Sequence, residues 1–476
     1  MKEFDIVVGL EVHVQLKTES KIFCTCQTSS ESQPNSNICP VCAGYPGALP
    51  VFNKKALELA LKVCFALRCQ INKKIYFERK NYFYPDLPKN YQISQYKMPL
   101  GEKGHLELAS GRIININRVH LEEDAGKLIH KEKYSLVDLN RAGTPLLEIV
   151  SAPDINGSEE AFEYLTHLKL ILQYIEASDC DMEKGSLRCD ANISLKKKGN
   201  KSLGTKVELK NMNSFRGVRD ALDFEAKRQE AALGNGEKIC QETRLWDAEL
   251  MRTETMRIKE EAHDYRYFPE PDLLDFAVSE NFLKKEQELI GELPLDKRKR
   301  FAIEYKISSK EINILISHRW LANFFEEAFK FYPKAQEVSN WLIGPFLEQV
   351  NNSDKRFDSV KISAQNFAKI VKYFVEGKIN NLAAKKVLCL SINTNEDADV
   401  IIEKEKLLQV SDANELDTFV KGVIGEHLAA VSEYRQGKQE VLMFLVGQVM
   451  KKTKGKANPK VTREMLEKAI REISDK

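Results

Sequence analysis

The sequence predicts an α+β fold, with a large N-terminal, mostly antiparallel sheet domain carrying helices, followed by all-α helical and tail domains. Two observations predict it. Up to about residue 292 the chain is rich in period-two alternation, glycine and turn residues, with few helical patterns between them. After Glu292-Leu293-Pro294-Leu295 the apolar spacing becomes helical almost throughout. The strand patterns do not alternate regularly with helices, which argues against parallel βαβ units. The expected domains are 1–292, 293–405 and 406–476.

The first element is a strand, Val7 to Gln15. Its odd positions give Glu11, His13 and Gln15, and its even positions give Val8, Leu10, Val12 and Val14. Strand side chains alternate faces, so one face is buried and the other wet. Ala56 to Leu67 is expected as a helix. Ile114 to Glu123 is another strand pattern, in which the alternation blurs before ending in His120, Glu122, Glu123 and Asp124. A helix is expected from Ser158 to about Ser178, with Ser158 as N-cap and Glu159 and Glu160 in its first turn. In Leu187 to Leu195 the wet face carries Arg188, Asp190, Asn192 and Ser194, and in Thr205 to Leu209 it carries Lys206 and Glu208. A helix from about Gly217 to Leu233 should stop at Gly234-Asn235-Gly236. Beyond the boundary, helices are expected over Asp296–Tyr305, Lys310–Ser317 and Trp320–Phe331.

An ordinary wet strand face carries Ser, Thr, Lys and scattered charges. These carry carboxylates and a histidine at i, i+2 spacing, which suits a hard divalent cation and a phosphate. A satisfied ion pair on a sheet surface is the plainer reading of Glu11 and His13. It weakens once Glu122, Glu123, Asp190 and Glu208 stand on similar strands.

The 476 residues suffice for several domains and a large core, and 43% hydrophobic with 30% charged residues is ordinary globular composition. A formal net charge of +2 excludes nucleic-acid binding driven by bulk charge. Any RNA contact must be a local patch, such as Lys451 to Lys460, which holds five lysines and no acid. That run also reads as a solvated loop. No signal-peptide pattern and no apolar run of transmembrane length is present, so a cytoplasmic, membrane-free protein is expected.

In a cytosolic chain, clustered cysteines suggest metal rather than disulfides. Of the ten, Cys24, Cys26, Cys39 and Cys42 form Cys-x-Cys, twelve intervening residues, then Cys-x-x-Cys. Two short loops can present two thiolates each to tetrahedral Zn²⁺, and four thiolates leave no open position, so the site reads as structural. The other six read as small buried hydrophobes. Asn81 to Tyr91 packs four aromatics around two prolines, and His263 to Asp272 has the same character. Each reads as a packed loop or as a stacking rim for substrate. There is no P-loop, no dinucleotide fingerprint, no amidase-type serine stretch and no Cys/His pair in a nucleophile context.

Several long segments then resemble a known family. They include Gly9-Leu10-Glu11-Val12-His13, Arg79-Lys80-Asn81-Tyr82-Phe83-Tyr84-Pro85-Asp86, Glu122-Glu123-Asp124-Ala125-Gly126-Lys127 and Val137 to Leu146. They continue with Glu183 to Asn192, Glu208 to Ser214 and Asp264 to Asp272. The chain resembles the B subunits of bacterial aspartyl/glutamyl-tRNA(Asn/Gln) amidotransferases over essentially its whole length.

That resemblance implies a cradle-like catalytic domain and a tail that grips tRNA. It implies a ligase acting with an amidase partner (the A subunit), which releases ammonia from glutamine, and with a small C subunit. It implies misacylated Glu-tRNA(Gln) or Asp-tRNA(Asn) as substrate, made by a non-discriminating tRNA synthetase. The side-chain carboxylate would be phosphorylated by ATP, and ammonia would then displace phosphate. Glu11, His13, Glu123 and Glu208 match family positions implicated in a Mg²⁺ site, with Glu148, Glu122 and Asp190 as further ligand candidates. Lys206, Lys210, Arg188 and Lys127 are candidates for phosphate or carboxylate contacts by charge. A chain that only binds tRNA and organises the complex, its acidic cluster a structural metal site, is the alternative.

Overall fold

The computed structural model describes residues 3–29, 32–258, 264–353, 357–409, 413–453 and 457–472. Contacts divide the chain into two compact units, Met1–Asp296 and Lys297–Lys476.

The first unit is built on strands β1 (Phe4–Gln15), β2 (Gln70–Ile71), β3 (Lys74–Ile75), β4 (Glu78–Asn81) and β5 (Tyr91–Ser94). They are followed by β6 (Gly101–Glu107), β7 (Ile113–Glu123), β8 (Lys127–His130), β9 (Ser135–Asp138) and β10 (Pro145–Ser151). The last are β11 (Leu187–Lys197), β12 (Val207–Lys210), β13 (Glu242–Asp247), β14 (Arg252–Ile258), β15 (Phe268–Pro269) and β16 (Phe276–Ala277). Nine of them form one sheet in the order β14-β13-β12-β11-β1-β10-β7-β6-β2. Every pairing in it is antiparallel except β12 with β13. The fold class is therefore α+β, as the sequence predicts. β15-β4-β5 forms a small separate sheet.

β1 lies at the centre because it alternates most cleanly. Val8, Leu10, Val12 and Val14 are fully buried, and Glu11, His13 and Gln15 are not. The buried face joins one core with helices α1 (Lys54–Ala66), α2 (Ser158–Tyr174) and α3 (Phe215–Gly234). Burying that apolar area stabilises the unit by about 25 cal/mol per Å². Asn53, not a residue of the helix itself, caps α1, and Ser214 caps α3. Gly157 rather than Ser158 stands at the N-cap of α2, and the Ser158 hydroxyl bonds Asp223 instead. A short helix α4 (Glu280–Glu288), capped by Ser279, closes the unit. With three helices on one face, the other face of the sheet is left open for polar side chains.

The helix Pro294–Glu304 crosses the boundary between the units, and the second unit is helical from there to Pro459–Glu472. Its apolar residues form two separate clusters, one over Phe301 to Ile402 and one over Leu416 to Ile470. Among the described residues no helix is long and apolar enough to cross a membrane. Lys451 and Lys452 end a helix, Lys460 begins the next, and Lys454 and Lys456 lie outside the described residues.

Candidate functional site

The open face of the large sheet is a polar cavity of about 790 Å³. Register builds it row by row. In one row His120 of β7 pairs with Glu148 of β10, Glu148 with His13 of β1, and His13 with Arg188 of β11. In the neighbouring row Glu11 pairs with Asp190, and beyond it Asn192 pairs with Glu208 of β12. Neighbouring strands therefore deliver their wet-face residues to one place.

His13 Nε2 lies 3.3 Å from Glu148 and 3.7 Å from Glu122, and His120 Nε2 lies 3.4 Å from Glu148 and 3.6 Å from Glu122. Asn192 Nδ2 donates to Glu11 Oε1 at 3.0 Å. Thr243 Oγ1 donates to Glu208 Oε2 at 2.7 Å, and Lys210 Nζ lies 3.4 Å from Glu208 while also pairing with Asp190. Lys206, Arg118, Lys80, Lys97 and Arg266 add further basic groups to the wall.

Crowded carboxylates in a buried setting shift one another. Burial, then Glu148, Asp190 and Glu208, hold the Glu11 carboxyl above its usual range. Burial opposes charge on His120, yet Glu148 and Glu122 outweigh it and push the imidazolium up to about 9. His13 is raised against burial by the same two glutamates. Glu148, despite burial, is held well below the usual range by His120 and His13.

One ligand atom each from His13, Glu122 and Glu148 lies within 4.8 Å of the others, so these three could hold one cation. Glu11, Asp190 and Glu208 add oxygen donors around the same cavity, which fits a divalent ion that keeps water and phosphate in its shell.

Aromatic rings overhang the charged floor. Tyr96 stacks on Tyr267 at 4.2 Å, Tyr265 packs edge-on against Tyr82 and Tyr267, and Lys80 lies 4.9 Å from the Tyr265 ring centre. Arg79 fixes the two segments together. It binds Glu270 at 2.7 and 2.8 Å and stacks 4.1 Å from Tyr91. His263 of the later segment lies outside the described residues.

A second cluster lies in the same unit. The sulfurs of Cys24, Cys26, Cys39 and Cys42 all fall within 4.8 Å of one another. That is the donor set and closeness a tetrahedral Zn²⁺ needs. Lys21 is fully buried beside them and donates to Asn37 O at 2.8 Å, Leu139 O at 3.4 Å and Cys42 Sγ at 3.5 Å. Of the other cysteines, Cys64, Cys180 and Cys189 are buried, Cys69 and Cys389 half-buried and Cys240 exposed. The small-hydrophobe reading therefore does not extend to Cys240.

The family described as the GatB/GatE catalytic domain matches residues 6–284, and the GatB domain matches residues 323–470. The B subunit of the aspartyl/glutamyl-tRNA(Asn/Gln) amidotransferase of Carboxydothermus hydrogenoformans is 47% identical over 474 residues, 98% of each chain. The chain belongs to the GatB family. Its relatives in Thermoanaerobacter pseudethanolicus and Persephonella marina, which carry the same name, are 48% and 46% identical over 98% of this chain and 99% and 100% of theirs.

For this GatB-family chain, the cavity gathers Glu11, His13, Glu148, Asp190, Lys206, Glu208 and Lys210 of the residues the sequence singles out. Three others are placed elsewhere. Glu123 points away from the cavity, where it pairs with Lys89 and accepts from Ile93 N at 2.9 Å. Its neighbour Glu122 takes the inward position. Arg188 swings to Asp124 at 2.9 Å, and Lys127 sits on the small β8-β9 hairpin. Sequence reasoning passes over His120, Arg118 and Tyr96 as site residues. The even parity of Arg118, His120 and Glu122 is the signal that groups the first two with the cavity.

Proposed function

We propose that this chain is the transamidating component of a tRNA-dependent amidotransferase. It would phosphorylate the side-chain carboxylate of Glu-tRNA(Gln) or Asp-tRNA(Asn) with ATP and Mg²⁺, then pass the acyl group to ammonia supplied by an amidase partner, the A subunit. A small C subunit, a cytoplasmic location and a structural Zn²⁺ in the cysteine cluster belong to the same reading. So does a three-part chain of catalytic, helical and tRNA-binding tail domains. The observation that carries it is the wet sheet face, where five carboxylates and two histidines face lysines across one cavity.

A carboxylate resists attack because its oxygen is a poor leaving group. Its oxygen attacks the terminal phosphorus of ATP, ADP leaves, and the acyl phosphate then loses phosphate to attacking ammonia. Two anions must first meet, and a divalent cation at His13, Glu122 and Glu148 supplies charge neutralisation when bound. In this reading Lys206 and Lys210, both lining the cavity, neutralise phosphate oxygens, and Lys210 is held by Asp190 and Glu208. In the same reading Glu208, held by a hydrogen bond from Thr243, accepts the proton that ammonia sheds. The stacked pair Tyr96 and Tyr267 in this reading holds a terminal nucleobase of the tRNA.

The test assembles the chain with its A and C partners and supplies ammonium chloride in place of glutamine. Conversion of Glu-tRNA(Gln) to Gln-tRNA(Gln) is followed for wild type and Glu208→Gln. Free ammonia bypasses the amidase partner, so product lost about 10²-fold or more only in the variant locates the chemistry here. Equal product from both removes Glu208 from the essential groups. No product from either, with tRNA still bound, favours the assembly-only role.

A further inference from the structure

Helix α1 ends in a motif whose two contact positions are both cysteines. Cys69 N donates to Cys64 O at 2.8 Å, and Arg68 N donates to Phe65 O at 2.9 Å. Arg68 between them takes the left-handed conformation, with φ +55°. Those two bonds are the Schellman way of ending a helix, and the residues they bring together ordinarily make an apolar contact. Here that contact is Cys64 against Cys69. The backbone bond alone keeps their Cα atoms within about 7 Å, at the upper end of the span a disulfide bridges.

The side chains converge as the backbone does. Strand β6 passes both of them as bare backbone. A Cβ on Gly101 would stand 2.8 Å from Cys64 Sγ and 2.9 Å from Cys69 Cβ, and one on Gly104 would collide with Cys69 Sγ. One glycine thus touches both cysteines, so the two side chains lie together rather than diverging. Both are free thiols, Cys64 fully buried and Cys69 half-buried. The Cys64 S–H is hydrogen-bonded to Cys69, and burial together with that bond holds the Cys64 thiol well above its usual range. Cys69 is the sulfur within reach of solvent, and Cys64 keeps its proton behind it.

We propose that Cys64 and Cys69 form a reversible oxidation site, at which hydrogen peroxide converts the two thiols to one disulfide. The Cys69 thiolate attacks a peroxide oxygen, the O–O bond breaks and hydroxide leaves, so Cys69 becomes a sulfenic acid. The Cys64 sulfur then attacks the Cys69 sulfur, the S–O bond breaks, and the departing hydroxide takes the Cys64 proton as water. Two thiols and one peroxide give one disulfide and two waters. The sulfurs lose the two electrons that the peroxide gains. A helix C-terminus disfavours a thiolate, so the first step is slow, whereas the second joins sulfurs already side by side. The bond ties the last turn of α1 to β2, which begins at Gln70 on the edge of the large sheet.

The folded full chain is treated with hydrogen peroxide, its remaining thiols are alkylated, and it is digested with trypsin. Cleavage after Lys62, Arg68 and Lys73 puts the two cysteines on separate peptides, 63–68 and 69–73. These two should appear linked, and dithiothreitol should separate them. A parallel sample with dimedone should trap Cys69 as sulfenic acid in an amount about tenfold or more below the linked pair, because the second step is fast. In Cys64→Ser the trapped fraction of Cys69 should rise by about tenfold or more, since nothing then resolves it. Exposed Cys240 reports that peroxide reached the protein. Oxidised Cys240 with peptides 63–68 and 69–73 unlinked overturns the proposal. So does a link that forms only in urea, or Cys69 trapped equally in both proteins. Should Cys64→Ser fail to fold, the wild-type digest decides alone.

Discussion

Asp124 follows β7 directly and shows how single residues hold the site's edge. It is buried, and burial alone would raise its carboxyl. Arg188 at 2.9 Å, Arg141 at 3.6 Å and Gln15 at 2.8 Å instead hold it below the usual range. An unfolded Asp titrates near ~3.9. The stabilisation is therefore fully present above that pH and is lost as pH falls through the lower folded value. Urea midpoints of wild type should drop more steeply below about pH 4 than those of Asp124→Asn. At pH 7 the variant should lose about 3 kcal/mol or less, since Arg188 is partly exposed. Parallel midpoint curves for the two proteins would sink this account.

Between residues and the whole, the informative elements are β7 and the cysteine knuckle. β1, β11 and β12 alternate without a break, so Glu11, His13, Asp190 and Glu208 are legible from spacing alone. β7 is different. Ile114 and Ile116 are core residues at even positions, and Val119 and Leu121 are core residues at odd ones. The register with β10 shifts between Val150 and Ser151, opposite Asn117, and the two faces exchange there. That break is why the alternation blurs in the sequence and why spacing alone cannot tell Glu122 from Glu123. The tyrosine roof joins segments far apart in sequence, and nothing local encodes that meeting. In the knuckle, Asn35 and Asn37 bond Val137, Asp138 and Asn140, tying its loop to the end of β9 and the segment after it. Lys21 meets three acceptors, one of them Cys42 Sγ, and so would offset part of the charge of four thiolates were Zn²⁺ held there as proposed. Metal analysis should find one zinc per chain, and Lys21→Met should weaken its retention against a chelator by about tenfold or more. On zinc removal, amides of 33–42 and 137–140 should exchange faster together while β1 stays protected. Uniform exchange across the unit would contradict a local role for the knuckle.

At the scale of the whole chain, a net charge of +2 cannot hold a tRNA by bulk attraction. Affinity must come from patches, and each phosphate contact releases counterions. Log affinity then falls with log salt by about 0.7 to 0.9 per contact. In the second unit Lys451 stands in the last turn of one helix and Lys460 in the first turn of the next, whereas Lys452 is engaged by Glu426. Lys451→Glu with Lys460→Glu should therefore weaken tRNA binding by the assembled complex and flatten its salt dependence by about one to two contacts. Product formation at saturating tRNA should survive, because the proposed chemistry is assigned to the first unit's cavity. Glu208→Gln should do the reverse, keeping both affinity and salt slope while losing product. The two variants thus separate grip from chemistry. An unchanged salt slope in the double lysine variant would return that run to a solvated loop. A lost slope in Glu208→Gln would mean that the charged sheet face, rather than the tail, carries the phosphate contacts.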